Sequence, residues 1–509
     1  MNTKFDASVS TPRDAHERKR LEAVRPESWN NPQPSGPYQL VIVGAGPAGL
    51  VAASEAAALG VSVALIERHQ IGGTCFNTGC VPSKTLLRTA AVYAEMRDAS
   101  RYGAQVPSDI QVDFAAVMSR LRRIRSHLTN TTSVRLLAAS GVDVFFGNAQ
   151  FEGPDRLTVN GQAVQFEKAL IATGARPNVP DVPGLKQAGF LTNLTIFELA
   201  ELPRRLLVIG GGPLGCELAQ AFQRLGCKVT IVQKPPLFLE HEERDAAQTL
   251  SNAFVRDGIE VRLNTIATAV RVEGDEKVVD LVSDDYHSTI RVDAILTGVG
   301  RRPNVQGLAL EKAGVAYDET TGIAVDDQLR TANPRIYAAG DVCLEAKYTD
   351  IAEESARIAV RNALLGGHER LSERVVPWCT YTDPEIAHVG MYVREANARR
   401  IPVKTFTVPM HQVDRAVTDS EQAGFVKIHL RDGSDQILGA TIVARDAGDM
   451  ISQVTLAMVA GVGMRTLAKV IHAYPTKTTA IRLAAMAYNQ TRLTPRVLGR
   501  LKRWLTRGD

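Results

Sequence analysis

One unit, written twice, most constrains what this chain folds into. Leu40-Val41-Ile42-Val43 is a continuous apolar run rich in β-branched residues, as a strand buried on both faces of a parallel sheet requires. It leads into Gly44-Ala45-Gly46-Pro47-Ala48-Gly49, an Ala-rich helical stretch to Gly60, and a second strand, Val61 to Ile66, ending at Glu67. The same order recurs as Leu206-Leu207-Val208-Ile209, then Gly210-Gly211-Gly212-Pro213-Leu214-Gly215, a helix to Gly226 and a strand from Lys228 to Val232. A lone G-x-G-x-x-G is a weak signal. Between a strand and a helix, with an acid 23 residues after Gly44, it becomes a dinucleotide site. The glycines let the backbone approach a pyrophosphate, and the helix N-terminus supplies N–H donors and a positive dipole. Gly44, Gly46 and Gly49 are the candidates of the first site, with Glu67 accepting from a ribose hydroxyl. Gly210, Gly212 and Gly215 are those of the second.

The second unit ends at Gln233, where an NAD site would place its acid, and Lys234 follows. A carboxylate would repel a 2′-phosphate, and Gln followed by Lys does not. This favours NADPH over NADH, although Lys234 reads equally well as a solvated loop residue. Two nucleotide sites in one chain, one of them for a hydride donor, point to a flavin at the other.

The chain's 509 residues are too many for one core. With 45% hydrophobic and 22% charged residues, the composition is that of a soluble globular protein. No run of about 18 apolar residues suggests a transmembrane helix. The first 36 residues mix charges of both signs and lack the apolar core of a signal peptide. They read as a polar, partly disordered arm closed by Pro32, Pro34, Gly36 and Pro37. Net charge is +4, of which residues 492–509 carry +5, leaving −1 elsewhere. A nucleic-acid footprint spread over the fold is therefore not expected.

Six cysteines are too sparse for a secreted disulfide framework and fit a cytoplasmic protein. Two stand in Gly72-Gly73-Thr74-Cys75-Phe76-Asn77-Thr78-Gly79-Cys80-Val81-Pro82-Ser83-Lys84, directly after the first nucleotide unit. Cys-x4-Cys with flanking glycines can close a small disulfide loop. Cys80 precedes a helical pattern from Ser83 to about Met96, whose dipole would favour a reactive thiolate. The competing readings are a metal site, which lacks further ligands at suitable spacing, and two inert core cysteines. Cys216, Cys227, Cys343 and Cys379 read as buried small hydrophobes.

Taken together, these motifs resemble the class I pyridine nucleotide–disulfide oxidoreductases, the family of dihydrolipoamide dehydrogenase, glutathione reductase and mercuric reductase, over about residues 38–490. Leu170-Ile171-Ala172-Thr173-Gly174-Ala175-Arg176-Pro177 looks like the segment closing the family's FAD domain, and Gly298 to Asn304, through Gly300, like a second such segment. Ile336 to Val342, containing Gly340 and Asp341, resembles the strand whose Asp holds the FAD ribityl chain. Thr382 to Gly390 looks like the opening of the dimerisation domain. The resemblance implies an α/β fold with two Rossmann-like dinucleotide-binding domains plus a C-terminal α+β dimerisation domain, FAD and NADPH (or NADH) as cofactors, a small-molecule or disulfide substrate, and a homodimer. The expected parts are the arm 1–36, an FAD domain 37–184 completed by 302–372, an NAD(P)H domain 185–301, a dimerisation domain 373–490 and a C-terminal helix 491–509. By resemblance Cys80 is the thiol facing the flavin, Cys75 the one meeting substrate, and Lys84 with Glu217 the ion pair beside the flavin. A helix starting near Thr349 would add its dipole there.

The chain also departs from the family. Where lipoamide and glutathione reductases carry a His before a Pro, with a Glu five positions after that His, this chain reads Tyr474-Pro475 and Thr479. A phenol, with a pKa near 10, is a poor substitute for imidazole near 6.5. Tyr474 is retained as the catalytic candidate at that place, and His472 reads as structural. Loss of the His resembles mercuric reductase, yet that enzyme's C-terminal Cys-Cys pair and N-terminal C-x-x-C domain are absent. The expected function is an NAD(P)H oxidoreductase passing electrons through FAD to Cys75–Cys80. The alternatives are flavin-level reduction of a metal ion or quinone, dihydrolipoamide dehydrogenase activity, and a non-enzymatic flavoprotein.

Thr494-Pro495 reads as the cap and first residue of a last helix. Val497, Leu498, Leu501, Trp504 and Leu505 fall on one face, Arg496, Arg500, Arg503 and Arg507 on another, and Lys502 flanks the apolar stripe. Such a face suits a membrane surface. The simpler alternative is packing within the protein's own dimer.

Overall fold

The computed structural model describes residues 14–34, 36–284 and 286–505, with the side chain of Leu501 excepted. Arg507 and Asp509 of the basic tail, and residues 1–13 of the arm, lie outside the described residues.

The chain divides into two compact units. One runs to Pro236 and resumes at Gly258–Glu373. The other joins Leu237–Asp257 to the residues from Arg374 onward.

The first unit carries a mixed seven-stranded sheet, in which Arg156–Val159 and Ala149–Gly153 add antiparallel beyond Gln162–Ile171, and a smaller all-parallel one. In the larger, strand Tyr38–Val43 lies between Val63–Glu67 and Gln162–Ile171, parallel to both, with Val41 opposite Ala64 on one side and Ala169 on the other. Val142–Phe146 extends it beyond Val63–Glu67, and Ile336–Ala338 joins parallel to Gln162–Ile171. Leu40, Val41 and Ile42 are buried, as their unbroken apolar run requires. The second sheet orders Glu260–Arg262, Lys228–Val232, Arg205–Ile209 and Ala294–Thr297, all parallel. Each glycine turn opens a helix with proline as its first residue, Pro47–Ala58 and Pro213–Arg224. Proline's fixed φ suits that position, and its missing N–H would have had no helical partner anyway.

The second unit holds a five-stranded antiparallel sheet in the order Pro377–Thr380, Glu385–Gly390, Ile437–Ala444, Phe425–Arg431, Val403–Pro409. Its core joins Val389, Ile428 and Ile442 to Val454 and Ile481 from helices Ala447–Val459 and Thr479–Thr491.

Two local expectations are corrected. Residues 15–24 of the arm form a helix, Ala15–Val24, with Glu17, Arg20 and Val24 buried; their charges pair with one another and with charges elsewhere in the unit. The redox helix starts at Cys80 itself, Cys80–Asp98, and a short helix, Gly73–Thr78, precedes it. Residues 237–257, within the expected NAD(P)H domain 185–301, supply the crossover helix Arg244–Asp257 between the parallel strands Lys228–Val232 and Glu260–Arg262, and also pack with the C-terminal unit, where Glu242 accepts from Trp378 Nε1 at 3.2 Å and Glu243 from Lys427 Nζ at 3.0 Å.

Among the described residues no helix is long and apolar enough to cross a membrane.

Candidate active site

The two glycine turns are built alike. Gly44 and Gly210 both have φ of +108°, and a Cβ on either would collide with backbone just past the end of the neighbouring parallel strand, at Ala172 or Gly298. A Cβ on Gly49 or Gly215 would strike the carbonyl of Gly44 or Gly210, so these glycines let helix and turn meet. Gly46 and Gly212 are different. Their φ values are ordinary, −76° and −79°. A Cβ on Gly46 would reach only ordinary contact distance, 3.8 Å from Gly73 Cα, and one on Gly212 would meet nothing within 4 Å. The fold itself does not need glycine there. A pyrophosphate lying against the turn does, so these residues fit dinucleotides.

Each turn is also tied to its second strand by one side chain. Glu67 Oε2 accepts from Ala45 N at 2.9 Å, and Gln233 Oε1 accepts from Gly211 N at 2.7 Å. Glu67 Oε1 accepts from His69 N at 2.7 Å. Gln233 thus keeps the acid's structural contact without its charge, a role its place in the sequence did not disclose. Lys234 is exposed.

Cys75 and Cys80 are free thiols in the structure, with Cys75 in the short helix and Cys80 opening the long one. The Cys80 thiol is lowered to about 6, chiefly by a hydrogen bond from Cys75, against burial, with help from Thr349 and the Lys84 charge. Cys75 is raised by the same pairing and by burial. Cys80 Sγ lies 3.3 Å from Thr349 Oγ1. Thr349 is the first residue of helix Thr349–Leu365, so two helix N-termini meet at this sulfur. Sequence reasoning placed that helix start but missed the Thr349 hydroxyl, because nothing local marks a contact spanning 269 residues.

One helical turn past Cys80, Lys84 Nζ meets Glu217 Oε2 at 2.8 Å, with Glu217 buried. The ammonium is thereby held on the cysteine-bearing helix and partly balanced. Asp341, in a 3₁₀ turn from Gly340, is ion-paired with Arg301, the neighbour of Gly300. Arg301 also donates to Ala175 O at 3.1 Å, beside Gly174. The structure therefore gathers three distant motifs, around residues 174, 300 and 341, into one place.

Tyr474 belongs to the C-terminal unit. It is exposed and donates to Asp414 Oδ2 at 2.9 Å. Thr479 begins its helix and neighbours the Thr476 hydroxyl at 3.4 Å. His472 Nε2 lies 2.8 Å from the Gln453 amide. Of the four other cysteines, Cys216 and Cys227 are buried as expected; Cys343 and Cys379 are only half-buried, a correction. Cys379 Sγ lies 3.9 Å from Glu385.

Comparison with known proteins gives the family of the chain. Residues 38–363 match the pyridine nucleotide-disulphide oxidoreductase family, and residues 376–485 match its dimerisation domain. A mercuric reductase of Streptomyces lividans is 36% identical over 89% of this chain and 96% of its own length. A dihydrolipoyl dehydrogenase of Chlamydia muridarum is 33% identical over 86% of this chain and 94% of its own. The HOCl-induced flavoprotein disulfide reductase RclA from Escherichia coli, solved as a Cu(II) complex, superposes with a TM-score of 0.78 at 31% identity, covering 87% of this chain and 98% of that one.

Proposed function

The chain belongs to the pyridine nucleotide-disulphide oxidoreductase family, and from that premise we propose that it carries electrons from NADPH through the Cys75–Cys80 pair to an acceptor that needs no proton relay, a thiophilic metal ion being the first candidate. The protein is an FAD-dependent oxidoreductase that binds FAD and NAD(P)H, and its dimerisation domain supports a homodimer. FAD, when bound, supplies the two-electron link between a nicotinamide hydride and a dithiol.

The observation that carries the proposal is the setting of Cys80, whose sulfur lies at two helix N-termini, 3.3 Å from Thr349 Oγ1 and one helical turn before Lys84. Adding one hydride to the Cys75–Cys80 disulfide breaks the S–S bond and yields one thiol and one thiolate, with no further proton required. Cys75 held protonated and Cys80 held as thiolate is that product. Lys84, fixed by Glu217 on the same helix, supplies positive charge where negative charge accumulates. Discharge returns two electrons to the acceptor, closes the S–S bond and releases the Cys75 proton. A disulfide substrate also needs a proton for each thiolate it releases. Tyr474, bound to Asp414, is a poor source. The similarity to mercuric reductases, and the Cu(II) complex of RclA, support a metal ion. This chain lacks the C-terminal cysteine pair of mercuric reductase, so delivery would fall to Cys75.

Gln233 and Lys234 support NADPH. The cysteine usage supports a cytoplasmic location. The C-terminal helix Pro495–Leu505 exposes Val497, Leu498, Trp504 and Leu505, and residues 492–505 hold five cations and no acid. This charge pattern supports weak contact with an anionic membrane surface.

The test is an anaerobic NADPH titration followed by an acceptor panel of Hg(II), Cu(II), lipoamide, glutathione disulfide and a quinone. Rapid thiol reduction with turnover on a metal ion is expected. Turnover confined to a disulfide would refute the proposal.

A further inference from the structure

The N-terminal helix Ala15–Val24 precedes the stretch that matches the family, yet its charges reach the segment between the two cysteines. Arg20 Nη1 donates to Asn77 Oδ1 at 2.6 Å and to Gln70 Oε1 at 2.8 Å. Arg20 Nη2 donates to Glu17 Oε1 at 2.6 Å. Glu17 Oε2 accepts from Arg125 Nη2 at 2.9 Å, while Arg125 Nη1 donates to Glu198 Oε1 at 2.6 Å and to the Asn77 carbonyl at 3.1 Å. Asn77 in turn donates through Nδ2 to the carbonyls of Ile71 and Gly73, both at 3.0 Å. Asn193 caps the carbonyl of Thr78 at 3.2 Å, and Val24 O accepts from Ile71 N at 3.1 Å. A six-residue helix such as Gly73–Thr78 has no partners of its own for its last carbonyls. Here distant side chains satisfy those of Asn77 and Thr78.

Two carboxylates and two guanidiniums meet in this cluster, with Glu17 and Arg20 each 4% exposed and Arg125 1%. Arg125 Nε and Glu198 Oε2 are buried without a hydrogen-bond partner. Desolvating four charges this incompletely is a poor route to stability, because an apolar cluster of equal volume is commonly at least as stable. What the charges provide is direction: Arg20 and Arg125 each fix one atom of Asn77, in the turn bearing Cys75, and Glu17 and Glu198 hold those two guanidiniums in place.

We propose that Glu17, Arg20, Arg125 and Glu198 are positioning residues that act through Asn77 to set Cys75 against Cys80, so that the N-terminal helix is part of the redox apparatus. This rests on the reading of Cys75–Cys80 as the redox pair.

The test uses the full-length, FAD-loaded enzyme, reduced anaerobically with NADPH. The thiolate–flavin absorbance of the reduced enzyme is followed against pH, with melting temperature measured in parallel. In the wild type it should appear through a midpoint near pH 6. Arg20→Met should raise that midpoint and weaken the band at low pH, by about tenfold if the midpoint moves from pH 6 to pH 7. Arg20→Lys should restore it. A lower melting temperature with the midpoint in place would overturn the proposal, because a merely structural cluster does that. Should Arg20→Met not fold, Glu198→Gln decides, since it leaves the Arg20–Asn77 contact intact: a raised midpoint supports the proposal and an unmoved one refutes it. Failure of the redox reading is distinct, as wild-type thiols would then stay unreduced by NADPH.

Discussion

The Tyr474 hydroxyl donates its proton to the Asp414 carboxylate at 2.9 Å. The hydrogen bond and the adjacent negative charge both push the phenol above its ordinary value near 10. Tyr474, which by resemblance takes the place of a histidine in lipoamide and glutathione reductases, is therefore protonated throughout the neutral range and is no base there.

Lipoamide turnover should be slow for that reason. A positioned acid–base group contributes roughly 10²–10⁴-fold, and turnover should fall below that of a histidine-bearing enzyme by a factor in this range. Reduction by NADPH needs no such group and should be fast in stopped flow. Tyr474→His with Thr479→Glu should raise lipoamide turnover. Lipoamide turnover by the unaltered protein matching a true lipoamide dehydrogenase would sink this view.

The two cysteines should separate spectroscopically. Cys75→Ser should show a long-wavelength thiolate–flavin absorbance as isolated, whereas Cys80→Ser should bind FAD without it. A thiol lowered to about 6 is ionised above that pH, so in the reduced enzyme the band should persist at neutral pH and fade as pH drops through about 6. In Cys75→Ser the principal hydrogen bond to the thiolate is weakened, and the fading should move to higher pH. Spectra unaffected by either substitution would make the pair structural.

Gln233 should govern the choice of nicotinamide. Gln233→Glu preserves an acceptor for Gly211 N, as Glu67 does for Ala45 N, and adds a charge facing a 2′-phosphate. The kcat/KM ratio of NADPH to NADH should fall by about an order of magnitude or more. A wild type that prefers NADH, or a ratio unmoved by the change, would contradict this.

The C-terminal helix should bind vesicles containing phosphatidylglycerol weakly and release them in salt. Phosphatidylcholine vesicles should bind less. Trp504→Ser should reduce the affinity, and Arg496→Gln with Arg500→Gln should reduce it on the order of tenfold or more. A truncation that splits the dimer, with no vesicle binding by the full chain, would favour packing between subunits instead.

What was legible in the sequence was local. The strands around Val41 and Val208 and their glycine turns declare themselves within about 25 residues, because strand burial, turn geometry and helix start each leave a fixed spacing. Lys84 and Glu217 could be paired only through family resemblance, 133 residues apart. Thr349 at Cys80 and Asp414 at Tyr474 carried no signal, since tertiary contact alone makes a threonine or aspartate a partner. The segment His16-Glu17-Arg18-Lys19-Arg20 reads as a solvated run, because charge normally marks a surface. The burial of Glu17 and Arg20 depends on Arg125 and Glu198, more than 100 residues away, while Arg18 and Lys19 stay exposed.

Gly46 has an ordinary backbone conformation and room for a methyl group. A Gly46→Ala chain should thus fold, stripped of cofactor, as well as the unaltered apoprotein, and differ only in gaining no thermal protection when FAD is added. Its harm is silent: a library ranked on yield or on apoprotein melting would retain it, and only the missing yellow colour would betray the loss.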